Sequence, residues 1–240
     1  MSDDAVVVIG GSSGIGLAVA RRCLADGHRV VIAGRSADRL AAAQAELGRP
    51  ERLAAVRADI AIRADLEVLF GTAGPVAHVV VTAADLPYGP VGMLTEDSML
   101  RAIRSKILGP LLVAQVAAPL LGESGSITYT SGIAAHRPMP GGTLTAAVNG
   151  ALESMVRGLA LELAPIRVNA VSPGWVDTPT WERLVPAPEA RHARLADMAA
   201  RLPGKRNGRA EDVANAIAFL VNDKFVTGTV LHAEGGQVLV

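Results

Sequence analysis

Aromatic side chains are scarce: they make up 3% of the 240 residues, and only two of them are tyrosines, so the place of each tyrosine matters. Cysteine is scarcer still. A lone Cys23 cannot build a disulfide scaffold, and no Cys/His cluster has metal-ligand spacing, so a buried, inert thiol and no metal site are expected. Charge of one sign is also missing, since 23 basic residues face 23 acidic ones. That balance removes the electrostatic drive of nucleic-acid binding. No apolar run reaches the roughly 20 residues of a bilayer span. The longest, Ile107 to Leu121, is interrupted by Gly109, Pro110, Gln115 and Pro119. The acidic start, Met-Ser-Asp-Asp, has no basic region of a signal peptide. A soluble, cytoplasmic protein with neither nucleic acid nor membrane as partner is expected.

What is abundant is apolar sequence, half of the chain, arranged as short β-branched runs alternating with longer helical stretches. Strands are predicted at Ala5 to Ile9, Arg29 to Ala33, Leu53 to Arg57, His78 to Thr82, Ser126 to Thr130, Arg167 to Val171 and Thr229 to His232. Helices are predicted at Ile15 to Ala25, Ala37 to Leu47, Glu96 to Leu120, Ala146 to Leu163 and Ala210 to Val221. Near-continuous apolar strands point to a parallel sheet covered on both faces. The pattern therefore predicts one α/β domain over residues 1–240, a doubly wound Rossmann fold with about seven parallel strands and helices on both faces. Ligands of such sheets bind beyond the carboxyl ends of the strands. Residues 179–209 differ, with four prolines, several charges and a weak helical period from Glu189 to Leu202, and read as a substrate lid.

The first strand runs into Gly10-Gly11-Ser12-Ser13-Gly14-Ile15-Gly16 and then a helix. Glycines there let the backbone approach a pyrophosphate, whose charge the helix N-terminus meets. The second strand ends in Gly34-Arg35-Ser36, where a carboxylate would bond a ribose 2′-hydroxyl and repel a 2′-phosphate. Arg35 instead offers a planar fork that clamps phosphate, so the site reads as one for NADP(H) in preference to NAD(H).

From end to end the chain resembles the short-chain dehydrogenase/reductase family. Gly10, Gly14 and Gly16 match its opening Thr-Gly-x-x-x-Gly-x-Gly, with Ile9 for the threonine, and Asp59, followed by Ile60, matches the aspartate that reads the adenine amino group. The run from Leu161 to Gly174 is similar to the family's sixth-strand segment, which implies that Pro173, Gly174, Val176 and Thr178 line the nicotinamide. Gly228 to Gly236 fits the last strand. One departure is Val81-Thr82-Ala83-Ala84 in place of Asn-Asn-Ala-Gly; Thr82 is the candidate to replace the lost strand tie.

The resemblance also puts the catalytic tetrad in doubt. The family's tyrosine and lysine fall on Thr145 and Asn149, its serine on Gly132 and its asparagine on Lys106. Ser131, one residue early on a strand, faces the other way. A threonine hydroxyl does not ionise usefully, and an asparagine carries no charge to help it. Lys106, one of three lysines, is the candidate replacement acid with Thr145 as relay; alternatively it fills space and pairs with a carboxylate or the cofactor. Asn149 is also expected to touch cofactor. Tyr129 should point away from the site, Tyr88 and His136 read as loop residues bordering it, and Trp175, Trp181 and Asp177 as groups that shape it, with Trp175 close to the nicotinamide.

Three functions stay open: an NADP(H)-binding oxidoreductase with a non-standard or degenerate centre, an inactive NADP(H)-binding sensor or partner subunit, and a non-redox catalyst such as a cyclase or dehydratase in the same cleft. Few charges in the pocket-forming segments favour an uncharged or weakly polar ligand. The resemblance and the small residues of the helix from Ala146 imply a homodimer or homotetramer.

Overall fold

The apolar runs become strands because their β-branched residues are buried on both faces of one sheet. The computed structural model of the protein describes residues 4–48 and 51–240. In chain order its elements are β1 (Ala5–Ile9), α1 (Gly14–Ala25), β2 (Arg29–Gly34), α2 (Ala37–Glu46), β3 (Leu53–Arg57), α3 (Arg63–Ala73), β4 (Val76–Val81), α4 (Glu96–Ile103), α5 (Gly109–Ala117), β5 (Leu121–Thr130), α6 (Thr143–Glu162) and β6 (Arg167–Pro173). There follow β7 (Val176–Asp177), α7 (Thr180–Leu184), α8 (Pro188–Arg201), β8 (Gly208–Arg209), α9 (Ala210–Asn222) and β9 (Val230–Ala233).

Seven strands form one parallel sheet in the order β3-β2-β1-β4-β5-β6-β9. The order reverses between β1 and β4, which opens a crevice beyond their carboxyl ends. Alternate residues of β1 serve different cores. Val7 and Ile9 pack with Phe70, Val113, Ile127 and Leu152, and Val6 and Val8 pack with Val19, Ile32, Ile217 and Leu220. This is the doubly wound α/β Rossmann-like fold expected. Cys23 lies in the second core, where burial pushes its thiol up to about 12.

One expectation needs correction. Glu96 to Leu120 is not a uniform helix, because a π-helical turn, Arg104–Leu108, separates α4 from α5. Pro110 has no N–H for the carbonyl of Lys106, and the N–H of Gly109 reaches back to Arg104 O instead, which widens the turn. By length and composition alone this stretch could cross a bilayer, yet Val113, Ala114 and Ala117 pack it on the sheet.

The 179–209 segment folds as α7, α8 and β8, with β8 pairing β7 so that the segment begins and ends beside β6. Met198 and Leu202 of this segment pack on Trp175, and Trp181 donates its indole N–H to Val176 O at 2.9 Å.

Candidate active site

At the switch point the sequence leaves no choice of side chain. Gly10 sits at φ 94°, and a Cβ on Gly16 would overlap Gly10 O and lie 2.5 Å from Thr82 Oγ1. Thr82 fills that space and donates to Ile9 O at 3.3 Å, so it does tie β4 to β1 as anticipated. Ser13, the first residue ahead of α1, is extended and gives no side-chain cap, so the helix's first N–H groups keep their capacity for an anion. Thr178 comes over the turn, its Cβ 3.7 Å from where a Cβ on Gly14 would stand.

Beyond the end of β2, Ser12 Oγ lies 3.4 Å from the Cβ position of Gly34, next to Arg35. Arg35 is exposed, and its Nη1 reaches Asp85 Oδ2 at 3.2 Å. Since β1 lies between the strands that precede these two loops, the ion pair spans the crevice. Ser36 is less free than expected: its Oγ accepts the Arg39 N–H and caps α2, which leaves its O–H and one lone pair for a ligand. Asp59 is held in the turn after β3, donating its N–H to Asp65 and accepting that of Ala61, while Ile60 packs against Gly109.

At the other end of the cleft three polar residues converge below the end of β5. Lys106, on the π-helical turn, is buried, and its ammonium donates to Thr130 O at 2.5 Å and Ser131 O at 3.5 Å. Among the described residues those two backbone carbonyls, and no carboxylate, are its hydrogen-bond partners, and burial pulls its amine down to about 8. Thr145 and Asn149 project from the start of α6, and Thr145 Oγ1 and Asn149 Oδ1 are buried with no hydrogen-bond partner. A native fold rarely leaves such atoms unpaired, at roughly 1–3 kcal/mol each. The amide of Asn149 also fills the space beside Gly132, where a Cβ would fall 2.8 Å from Nδ2.

Ser131 turns away as the strand alternation requires, donating to Glu153 Oε1 at 2.6 Å. His136 Nε2 lies 2.8 Å from the other oxygen of Glu153, with its ring edge-on to His232, so these groups serve one another. Tyr129 is fully buried and donates to Pro110 O at 2.9 Å.

The Trp175 ring packs with Met198 and Leu202 of the 179–209 segment, and the Arg201 guanidinium lies 5.4 Å from its centroid. Tyr88, read from the sequence as a loop residue bordering the site, is partly exposed. Its phenol lies beside the Thr145 side chain, in a contact that falls short of a hydrogen bond of normal geometry; burial raises its pKa and Thr145 partly offsets this. Beside α7 and α8, Asp177, Thr178, Glu182, Arg191 and His192 line a groove, which carries more charge than anticipated.

A doubly wound sheet with a glycine turn at its switch point and a cluster of unpartnered polar groups across the crevice defines a Rossmann-like α/β protein. Known proteins narrow the class. A family profile described as enoyl-(acyl carrier protein) reductase matches residues 9–237. Short-chain dehydrogenase/reductase ATR9 of Stachybotrys chlorohalonatus is 37% identical, over 98% of this chain and 96% of that protein. The MalC reductase/Diels-Alderase structure from Malbranchea aurantiaca superposes with a TM-score of 0.91 at 31% identity, covering 99% of this chain and 97% of that one. A small-chain dehydrogenase solved in complex with NADPH gives 0.85 at 30%, over the whole of both chains. The chain belongs to the short-chain dehydrogenase/reductase family.

Proposed function

We propose that the protein is an NADP(H)-dependent oxidoreductase with a rebuilt catalytic centre, in which Gly132, Thr145, Asn149 and Lys106 stand where the family keeps serine, tyrosine, lysine and asparagine. The observation that carries this reading is the buried Lys106 ammonium, without a carboxylate partner, at the same end of the cleft as the unpartnered Thr145 and Asn149. A buried cation and two orphaned polar atoms are costly in a site that does nothing.

The residues fit the cofactor. Gly10, Ser12, Ser13, Gly14, Ile15 and Gly16 would hold the pyrophosphate, and Arg35 and Ser36 the 2′-phosphate. Asp59 and Ile60 would hold the adenine, and Asn149, Pro173, Gly174, Val176 and Thr178 the nicotinamide riboside. Two similar solved structures are described as complexes with NADPH, which supports this cofactor. When bound, the reduced nicotinamide supplies a hydride to an electrophilic carbon. Lys106 provides the positive charge and, through Thr145, the proton needed at the neighbouring oxygen or nitrogen. An amine near 8 is well matched to that task close to neutral pH. The substrate proposed is an uncharged or weakly polar ketone, imine or enone, with residues 179–209 closing over it. The resemblance further supports a homodimer or homotetramer.

A second reading, non-redox catalysis in the same cleft, is supported by the description of MalC as both reductase and Diels-Alderase. Cofactor discrimination tests the assignment of Arg35. NADPH is expected to bind about tenfold or more tighter than NADH, from the charge-assisted bonds of one guanidinium, and Arg35→Ala to erase the difference. Equal affinities in the unmodified protein, measured by fluorescence titration, would overturn it.

A further inference from the structure

Thr145 stands at the end of the proposed relay, yet an aliphatic hydroxyl is too weak an acid to protonate a substrate by itself. The group that meets it is the phenol of Tyr88. The loop carrying Tyr88 is stitched to both arms of the centre. At one end, the Asp85 N–H donates to Ser105 Oγ at 3.0 Å, on the residue before Lys106. At the other, the Gly89 N–H donates to Gly141 O at 2.9 Å, just ahead of the helix that bears Thr145. The backbones of Gly89 and Gly141 pack so closely that a Cβ on Gly141 would lie 3.3 Å from the Gly89 carbonyl carbon. Tyr88 is thereby held between two fixed points, while 40% of its surface stays open to the cleft and solvent.

We propose that Tyr88 is the terminal proton donor of this site, a phenol delivered by the loop after β4 to the place where α6 carries Thr145. The proposal rests on the reading of the cleft as an NADPH-dependent reductase. Bound NADPH would supply the hydride to carbon, and the oxygen left negative would take the phenol proton. The O–H bond of Tyr88 breaks as that of the product forms. The phenolate then regains a proton through Thr145 Oγ1, supplied by Lys106 or water. A phenol, ordinarily near 10, is protonated across the neutral range as a donor requires; burial raises Tyr88 further, which the positive charges of Lys106 and of bound NADP+ would offset.

Tyr88→Phe keeps the ring and its packing and removes only the hydroxyl. Turnover of NADPH with an accepted substrate is expected to fall by roughly 10² to 10⁴, as for loss of a positioned acid, with NADPH affinity unchanged. Turnover within about threefold of the unmodified protein would overturn the proposal. A second measurement needs no substrate. The chain has two tyrosines, and burial drives Tyr129 far above the ordinary range, so phenolate absorbance at moderately alkaline pH reports Tyr88 alone. The positive ring of bound NADP+ is expected to ease ionisation of Tyr88 by about tenfold in proton concentration. An unchanged titration in the saturated complex would overturn the role of Tyr88 and leave the cofactor assignment standing. Failure of NADPH and NADP+ to bind at all would overturn the reductase reading itself.

Discussion

Lys106 holds a charge in the protein interior with two backbone carbonyls for company, an arrangement that costs more than it returns unless the charge is used. Its amine falls to about 8 in the fold, below the roughly 10.4 of an unfolded chain. Between those values the unfolded chain binds the extra proton. Stability therefore rises with pH across that window, and the penalty is fully present below about pH 8. Lys106→Met, similar in length and uncharged, is expected to raise stability at pH 7 by about 1 kcal/mol or more in urea denaturation while abolishing turnover. A destabilised variant with intact turnover would make Lys106 a structural residue. In the unmodified protein, reduction should slow as pH rises through about 8, as the ammonium is lost. Lys106, Thr145 and Asn149 were legible because each sits at a fixed register from a recognisable helix or glycine. Tyr88 was legible only as a loop residue bordering the site, since a loop side chain obeys no period and the path of its loop is set by hydrogen bonds of its neighbours Asp85 and Gly89.

Among the elements, the turn from β1 into α1 is the most constrained. Gly16→Ala would drive a methyl into Gly10 O and Thr82 Oγ1, and the first of these is backbone that cannot yield cheaply. The expected cost is about 1–3 kcal/mol in urea denaturation, together with loss of NADPH binding, and a stable variant that binds normally would contradict the packing described here. Strand β1 coincides with its apolar run, because a strand buried at every residue has no polar position to blur its edge. The α4–α5 break was harder to read, since the apolar pattern runs through it. Pro110 is the residue that marks it, and its effect appears one turn earlier, at the carbonyl of Lys106. The same irregular turn carries the lysine into the interior, so the least legible part of the helix is also the part the proposed chemistry needs.

At the scale of the whole molecule, alternation of strand and helix was sufficient for the fold, because parallel strands with right-handed crossovers admit few arrangements. Assembly was not legible in that way. Leu161 and Phe225 are 83% and 94% exposed, apolar surface that a second copy would cover. Light scattering is expected to give at least twice the 24.7 kDa of one chain, and a monomer at micromolar concentration would contradict the proposed oligomer. The central claim is that the cleft reduces substrates with the residues it has. It is tested most directly by NADPH oxidation over a panel of ketones, imines and enones, with the unmodified protein beside Thr145→Tyr/Asn149→Lys. We predict turnover by the unmodified protein on at least one of these classes. Turnover by the double variant alone would contradict the claim and make the natural protein an NADP(H)-binding protein without redox activity.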